Sequence, residues 1–164
     1  MISYIVNWLF FILPGSRLFS IKRILLKLIG SEIGNNVRVM NIKIQGVRLK
    51  IGDNTFIGDG TYFTGGESNV KIGRNCDISS KVSFVTGTHE IGSANRAAGN
   101  GYSKDIDIGN GVWIGYGTII LPGVSIGDSS IIAAGSVVTS NIPSGVLAAG
   151  VPAKVKKILF ENLH

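Results

Sequence analysis

Cysteine, histidine and proline are scarce in this chain of 164 residues, which contains one cysteine, two histidines and four prolines. A disulfide needs two cysteines, so the lone Cys76 excludes an internal disulfide framework, and it also excludes a cysteine-based zinc site. Two histidines are too few for a three-histidine metal site, so we expect no bound metal. The few prolines and the lack of a Gly-X-Y period exclude collagen and proline-rich disorder.

The sequence also lacks an apolar run long enough to cross a membrane as a helix. Residues 1–13 are apolar, but a bilayer requires about 20 such residues. The same segment has neither the basic start nor the small-residue cleavage site of a signal peptide. We therefore expect a cytoplasmic protein.

Acidic residues are few, and the net charge of +6 is concentrated at the two ends of the chain. Residues 1–30 carry four basic residues and no acidic one, and residues 151–164 form a basic C-terminal tail with a charge of +2. Residues 31–150 are balanced, with nine basic and nine acidic residues. Binding to duplex nucleic acid requires basic charge spread along one face, so we expect no nucleic-acid partner.

Glycine is abundant, and from residue 31 onward it belongs to a six-residue repeat. Apolar residues recur every six positions, most regularly at Ile108, Ile114, Ile120, Ile126, Ile132 and Val138. The residue two places earlier is small or β-branched, and glycine, asparagine or aspartate follows the apolar position. A period of six fits neither a helix nor a simple strand and is typical of a parallel β-helix, in which three hexads complete one triangular coil. We therefore predict an all-β solenoid over residues 31–150.

The glycine-poor N-terminus is predicted to contain an amphipathic helix over residues 17–29. Its apolar stripe would be formed by Leu18, Ile21, Leu25, Leu28 and Ile29, with the basic residues largely off that stripe. This helical segment, residues 1–30, could pack across the open end of the β-helix and cover its exposed edge. It could also lie on an anionic membrane, at the inner face of the cytoplasmic membrane, and the two roles are compatible.

Residues 85–107 contain no clean hexads and are predicted to form a loop that extends from the solenoid. Phe84 and Ile108 are separated by 24 residues, which is four whole hexads, so the repeat resumes in register after the loop. His89 opens this loop and is the natural general base of an acid–base enzyme, whereas His164 is the terminal residue. Glu90 beside it could orient the imidazole, contact a substrate, or be an ordinary solvated acid.

Two further side chains are placed by the repeat. Trp113 precedes an inward position, so its indole is predicted to project outward, where it would contact a ligand or another subunit. Cys76 lies on the inward track of small residues and is predicted to be a core residue rather than a nucleophile.

The last third of the chain resembles the hexapeptide-repeat acyltransferases, and in particular the maltose, galactoside and surface-polysaccharide O-acetyltransferases. The resemblance lies in Ile108-Gly-Asn-Gly-Val-Trp-Ile-Gly115, Leu121-Pro-Gly-Val-Ser-Ile-Gly127, Ala134-Gly-Ser-Val-Val-Thr139 and Ala149-Gly-Val-Pro-Ala-Lys154. It implies a left-handed parallel β-helix, a homotrimer with active sites between neighbouring prisms, and acetyl-CoA as the acyl donor.

The same resemblance implies roles for individual residues. His89 is expected to be the general base, and the backbone N–H of Tyr116 the donor to the oxyanion. The residues expected to contact coenzyme A are Trp113, Tyr116, Ala134, Thr139, Ser140, Lys154 and Lys157. The residues expected to contact the acceptor are Asp59, Glu90 and Arg96. Ser140 stands where the sugar acetyltransferases commonly have lysine, and Asp59 where they have an acceptor-binding asparagine.

The leading hypothesis is an acetyl-CoA-dependent O-acetyltransferase acting on a sugar or glycan acceptor, such as a unit of a surface polysaccharide. N-acetylation of an amino-sugar nucleotide is an alternative, favoured by the His89-Glu90 pair. A non-catalytic β-helix scaffold is a third alternative, from a different functional class. A carbonic anhydrase on the same scaffold would need three metal-binding histidines, which the sequence does not contain.

Overall fold

The structure is a computed structural model that describes residues 2–160, with the surroundings of the side chains described from Tyr4 onward. His164 therefore lies outside the described residues. Two helices, α1 (Ile2–Ile12) and α2 (Phe19–Leu28), come first, and short strands follow. The strands are β1 (Glu32–Ile33), β2 (Arg38–Val39), β3 (Ile42–Ile51), β4 (Phe56–Ile57), β5 (Thr61–Ile72), β6 (Asp77–Ile78), β7 (Ser83–Val85), β8 (Gly87–Ser93), β9 (Arg96–Ser103), β10 (Ile106–Ile108), β11 (Trp113–Ile114), β12 (Ile119–Ile120), β13 (Ser125–Ile126), β14 (Ile131–Ile132), β15 (Val137–Val138), β16 (Val146–Gly150) and β17 (Ala153–Ile158).

Strand pairing follows the predicted coil length. Paired residues are 18 apart where the repeat is regular, as in Glu32 with Lys50 and Trp113 with Ile131. The spacing is 21 across residues 64–69 and 36 across the long insertion, which therefore adds one coil length. All these pairs are parallel, so the predicted fold class, a parallel β-helix built from hexapeptide repeats, is confirmed.

The core is formed by the repeat positions that the sequence indicates. The twelve residues at the hexad positions from Ile51 to Val138 are all buried, and so are the small residues two places before them, including Cys76 at 1% exposure. Phe63 and Phe84 stack in successive coils, with ring centroids 4.8 Å apart. Each coil therefore packs its side chains on equivalent side chains of the next coil.

The turns between faces explain the glycine content. At most turns, the third residue after the inward aliphatic residue has a positive φ, as at Asn54 (58°) and Gly117 (67°), which asparagine and glycine tolerate best. The glycine directly after the aliphatic residue has a different role. A Cβ added at Gly52 would lie 2.6 Å from the backbone N of Arg74 in the next coil, so these glycines allow the coils to stack.

Helices α1 and α2 cover the first coil. Val6, Phe10 and Leu26 join the core cluster. The Asn7 amide pairs with the backbone of Ile44 like a short strand, donating to its carbonyl at 2.7 Å and accepting from its N–H at 3.0 Å. Asn7 thus satisfies backbone groups at an open sheet edge, which supports the capping interpretation. Within the described residues, no helix is long and apolar enough to cross a membrane.

Of the predicted apolar stripe of the second helix, Leu25 and Ile29 pack against the core, but the other three residues do not. Ile21 and Leu28 are exposed, while Lys22 and Leu26 are the buried residues of α2. The Lys22 ammonium donates to the carbonyls of Pro14 (3.0 Å) and Gly15 (2.8 Å) and to Asn41 Oδ1 (3.2 Å). Burial lowers the pKa of Lys22, and these three oxygens compensate the buried charge.

Two predicted irregular segments contain strands. The long insertion is not an irregular loop but an antiparallel hairpin of β8 and β9, exposed over almost its whole length. The predicted C-terminal tail is a strand as far as Ile158, because β17 pairs antiparallel with β16 and covers the last coil. The turn between β16 and β17 contains a cis peptide bond before Pro152.

Candidate active site

Most of the predicted site residues lie on or beside two of the three edges at which the chain turns around the prism, and Lys154 and Lys157 lie on β17. We name each edge by one residue or element. The Tyr116 edge follows β4, β6, β11 and β14 and contains Asp59, Ser80, Tyr116 and Ala134. The hairpin edge follows β7, β12 and β15 and contains Thr86, Pro122 and Ser140. The Asp128 edge follows β1, β10 and β13 and contains Asn35, Asn110 and Asp128, among others.

The hairpin holds His89 in a defined orientation. β8 and β9 leave the prism at a neck closed by the Lys104 N–H, which donates to the Thr86 carbonyl at 2.9 Å. His89 pairs with Gly101 across the hairpin, and its exposed ring places Nδ1 3.0 Å from the Gly99 carbonyl oxygen. A carbonyl can only accept, so Nδ1 carries the proton in the neutral ring, and the lone pair of that tautomer is on Nε2.

Glu90 and Arg96 take no part in orienting His89. The structure places the Gly99 carbonyl, not Glu90, at the imidazole. Glu90 is exposed, and among the described residues it forms no ion pair. Arg96 lies at the tip of the hairpin, paired with Ser93. The sequence contains no signal for the Gly99 contact, because it depends on the register of the hairpin, which has a bulge between His89 and Ile91.

The Tyr116 edge exposes two aromatic side chains. Trp113 is 53% exposed on the adjoining face and lines a groove with Phe56, Asp77 and Ser79. Tyr116 is 51% exposed, and the Lys81 ammonium lies 5.7 Å from its ring centroid. The neighbouring Tyr116 phenol raises the pKa of Lys81, a residue that sequence reasoning missed.

The backbone N–H of Tyr116 lacks the side-chain acceptor that caps the equivalent N–H of Asn110 on the Asp128 edge. On the Asp128 edge the N–H of Asn110 donates to Asp128, 18 residues later, at 2.9 Å. The residue 18 after Tyr116 is Ala134, which has no side-chain acceptor. Accordingly, the Tyr116 N–H donates to none of residues 2–160. The alanine thus leaves one backbone donor available beside two exposed aromatic rings.

Asp59 lies on the Tyr116 edge and has a structural contact of its own. Its Oδ1 accepts from the backbone N–H of Asn41 at 3.3 Å, the same cap that Asp128 provides on the other edge. It is otherwise exposed, and it lies near the buried ammonium of Lys22.

The remaining predicted contacts with coenzyme A lie in two places. Thr139 and Ser140 are exposed on the hairpin edge, two coils beyond the neck of the hairpin. Lys154 and Lys157 are exposed on β17, which belongs to the same sheet as Trp113. β17 lies three strands from β11, which corresponds to about 14 Å at the usual strand spacing.

The structure therefore divides the predicted residues into two groups. Asp59, Trp113, Tyr116 and Ala134 come together, whereas His89 lies with Thr139 and Ser140 on the next edge. One face of the prism separates the two groups within a subunit. Cys76 belongs to neither, because it is buried, and burial raises the pKa of its thiol. Within residues 2–160, no three histidine, cysteine or acidic side chains are grouped to hold a metal.

Two family models match the repeats. Residues 105–140 match "Bacterial transferase hexapeptide (six repeats)", and residues 48–80 match "Hexapeptide repeat of succinyl-transferase". The galactoside O-acetyltransferase of Lactococcus lactis is 36% identical over 143 residues, which are 84% of this chain and 68% of that protein. The chain belongs to the hexapeptide-repeat acetyltransferases. This confirms the family that the sequence motifs predict.

Solved structures of hexapeptide-repeat acetyltransferases superpose over nearly the whole chain. A galactoside acetyltransferase in complex with coenzyme A has 32% identity and a TM-score of 0.82, covering 96% of this chain and 79% of that one. An acetyltransferase of Vibrio cholerae in complex with acetyl coenzyme A has 26% identity and a TM-score of 0.83, covering 98% and 86%. The chain nevertheless spans only about six tenths of the length of curated relatives from Saccharomyces cerevisiae and Escherichia coli, at 59% and 61%.

Proposed function

We propose that the protein transfers an acetyl group from acetyl-CoA to a hydroxyl group of a sugar or glycan. The observation that carries this proposal is the His89 imidazole, whose Nδ1 faces the Gly99 carbonyl and whose Nε2 is left as a base. A neutral imidazole held in one tautomer is suited to take a proton from an acceptor hydroxyl.

The acetyl group passes directly from acetyl-CoA to the acceptor, without an acyl-enzyme intermediate. Nε2 of His89 takes the hydroxyl proton while the acceptor oxygen attacks the thioester carbonyl carbon. The tetrahedral intermediate then collapses, the C–S bond breaks, and the imidazolium returns the proton to the coenzyme A thiolate. Acetyl ester and free coenzyme A are the products. The only thiol of the chain, Cys76, is buried in the prism and takes no part.

The Tyr116 N–H stabilises the negative charge that forms on the thioester oxygen. It is a backbone donor with no partner in residues 2–160, so it needs no rearrangement to bind an oxyanion. Trp113 and Tyr116 offer flat apolar surfaces to the pantetheine arm, and Ala134 keeps the edge narrow beside them. Thr139 and Ser140 contact the arm from the hairpin edge. Lys154 and Lys157 supply positive charge for the nucleotide phosphates.

A complete site needs two subunits. His89 and Tyr116 lie on different edges of one prism, with a whole face between them. A homotrimer in which the hairpin edge of each subunit faces the Tyr116 edge of its neighbour brings the base and the oxyanion donor together in three equivalent sites. Asp59, Glu90 and Arg96 border the acceptor side of this interface.

The acceptor is proposed to be a sugar or a unit of a polysaccharide. N-acetylation of an amino-sugar nucleotide uses the same donor and base, so a panel of sugars, glycans and amino-sugar nucleotides offered with acetyl-CoA decides between O- and N-acetylation. Release of coenzyme A that depends on one acceptor class identifies the acceptor.

The decisive test is His89→Ala. Loss of a general base lowers kcat by about 10²- to 10⁴-fold, with little change in KM for acetyl-CoA. Glu90→Ala is the matched control, because Glu90 is the exposed neighbour that does not touch the imidazole, and its kcat should fall by much less than that of His89→Ala. Transfer by His89→Ala at the wild-type rate would refute the catalytic role and favour the scaffold alternative.

The shared site can be tested by mixing two inactive variants. His89→Ala lacks the base, and Ala134→Asp is expected to occupy the Tyr116 N–H. In mixed trimers, about one site in four combines an intact hairpin with an intact neighbouring edge, so activity should return to about a quarter of the wild-type value. Two inactive variants that stay inactive after subunit exchange would place the whole site within one subunit.

A further inference from the structure

We propose that the outer faces of α1 and α2 form a docking surface for an anionic lipid bilayer. This end-cap surface consists of Tyr4, Ile5, Trp8, Phe11 and Ile12 of α1 and Ile21, Ile24 and Leu28 of α2, all of which are exposed. It adds a partner to the proposed acetyltransferase and rests on different residues.

The apolar character of α1 exceeds what capping requires. One face of α1 carries Val6 and Phe10 into the core. Trp8 and Phe11 border a groove with residues of the first coils, and both remain largely exposed. The opposite face repeats large apolar residues along the helix, with Trp8 61% and Phe11 83% exposed. A surface helix normally carries polar residues on its outer face, so an apolar outer face indicates a partner.

The second helix has the same pattern. Lys22 and Leu26 face the prism, whereas Ile21, Ile24 and Leu28 follow one another along the outer side at helical spacing. The helix thus directs a lysine inward and three aliphatic side chains outward. Its most hydrophobic face is exposed to water unless a partner covers it. Both helices pack on the first coil, so both outer faces lie at the same end of the prism.

The charge of the end-cap surface selects the partner. Arg17 and Lys27 are exposed, and neither helix carries an acidic side chain. The groove that Trp8 and Phe11 line also contains Lys43 and one acidic side chain, Asp59, so the charge of the surface remains net positive. Anionic lipid head groups match this charge, and Trp and Tyr side chains are favoured at the level of the head groups. A second copy of the same surface would bring arginine and lysine against arginine and lysine, which disfavours end-to-end association of two molecules.

The geometry fixes how the protein would lie on the membrane. α1 has 11 residues, which is too short to span a bilayer, so it lies in the interface plane. β17 and the last coil are at the opposite end of the prism from the helices. The prism therefore stands on the membrane with β17 away from it. In the proposed trimer, cyclic symmetry places three end-cap surfaces on one plane, and their binding reinforces one another.

The test is co-sedimentation of the full chain with vesicles. The wild type should partition onto phosphatidylcholine vesicles containing about 30% phosphatidylglycerol at low salt, and severalfold less at about 0.5 M salt. Trp8→Ser and Phe11→Ser should each lower the partition coefficient about tenfold. Phe160→Ser is the matched control, because Phe160 is an exposed aromatic residue (53%) beside the last coil, and its binding should equal that of the wild type.

Other measurements guard against misfolding and alternative partners. The mutated side chains are exposed, so the melting temperature should not change. In a Trp113→Phe background Trp8 is the remaining tryptophan, and its emission should shift to the blue on anionic vesicles. Failure of the wild type to bind these vesicles, or binding unaffected by Trp8→Ser and Phe11→Ser, would overturn the proposal. The proposal would also be overturned if the wild type formed assemblies larger than a trimer without lipid, and if Trp8→Ser dissociated those assemblies. None of these readouts requires acetyl transfer, so failure of the enzymatic proposal is distinguishable.

Discussion

Ala134→Asp tests whether the free Tyr116 N–H is a catalytic donor. On the Asp128 edge, an aspartate placed 18 residues after Asn110 accepts from its N–H at 2.9 Å. Position 134 has the same relation to Tyr116, and both lie on turns of the same type. The substituted carboxylate should therefore occupy the Tyr116 N–H and withdraw it from the substrate.

The expected loss follows from the value of one oxyanion donor. Removing such a donor costs about 10²- to 10³-fold in kcat, or about 2.7–4 kcal/mol of transition-state stabilisation. The new hydrogen bond should at the same time raise the free energy of unfolding by about 1 kcal/mol. Activity and stability are thus expected to change in opposite directions, which a misfolded variant could not reproduce.

Two measurements and two control variants separate this effect from simple obstruction of the donor site. Steady-state kinetics with acetyl-CoA should show a fall in kcat, and hydrogen exchange should show protection of the Tyr116 amide. Ala134→Leu adds bulk without an acceptor, so it should chiefly raise KM for acetyl-CoA. Asp128→Ala removes the cap on the Asp128 edge, so it should lower stability by about 1 kcal/mol without changing kcat. Wild-type kcat in Ala134→Asp, with the Tyr116 amide protected, would refute the reasoning.

Further predictions concern the prism. Gly52→Ala should lower the free energy of unfolding by about 2 kcal/mol in a denaturant titration, because its Cβ would lie 2.6 Å from the next coil. Gly30→Ala has nothing within 4 Å of its Cβ, so it should lower that free energy by about 1 kcal/mol, from its positive φ alone. Equal losses in the two variants would contradict the stacking role of Gly52. Hydrogen bonds from Asn69 hold the pKa of Asp105 below its ordinary value of 3.8. The ionised Asp105 carboxylate contributes fully to stability above pH 3.8, and this contribution is lost as the pH falls through the lower pKa of the folded state. The melting temperature of Asp105→Asn should therefore fall less steeply with acidification than that of the wild type. Cys76→Ala should keep full kcat while losing about 1 kcal/mol of stability, and a large loss of activity in a folded variant would implicate the thiol.

The six-residue period was sufficient to predict the core of the prism. Each inward position from Ile51 to Val138 is buried as predicted, because an aliphatic residue at fixed spacing can face only inward when the coil length is constant. The same period predicted that Trp113 is exposed and that Cys76 is buried. Contacts between residues far apart in the sequence can thus be predicted where each coil repeats the contacts of the previous one.

The predictions failed where the repeat is absent. α2 is apolar on more than one side, so the hydrophobic pattern selected Ile21 and Leu28, and the buried face was decided by the three oxygens that receive the Lys22 ammonium. The hairpin has polar and glycine-rich strands with no hydrophobic alternation, so the sequence resembled a loop. The contact of His89 with Gly99 depends on the bulge in that hairpin, and no local pattern encodes it.

The neck of the hairpin has a consequence for how this scaffold can change. Thr86 and Lys104 are 18 residues apart and are joined by a backbone hydrogen bond, so residues 87–104 enter and leave the prism at one point. Deleting these 18 residues would reconnect Phe84 to Ile108 at the ordinary hexad spacing, and the coils above and below would keep their partners. The segment that carries His89 is therefore a replaceable module, and another hairpin can be grafted at this point without redesigning the framework that carries it.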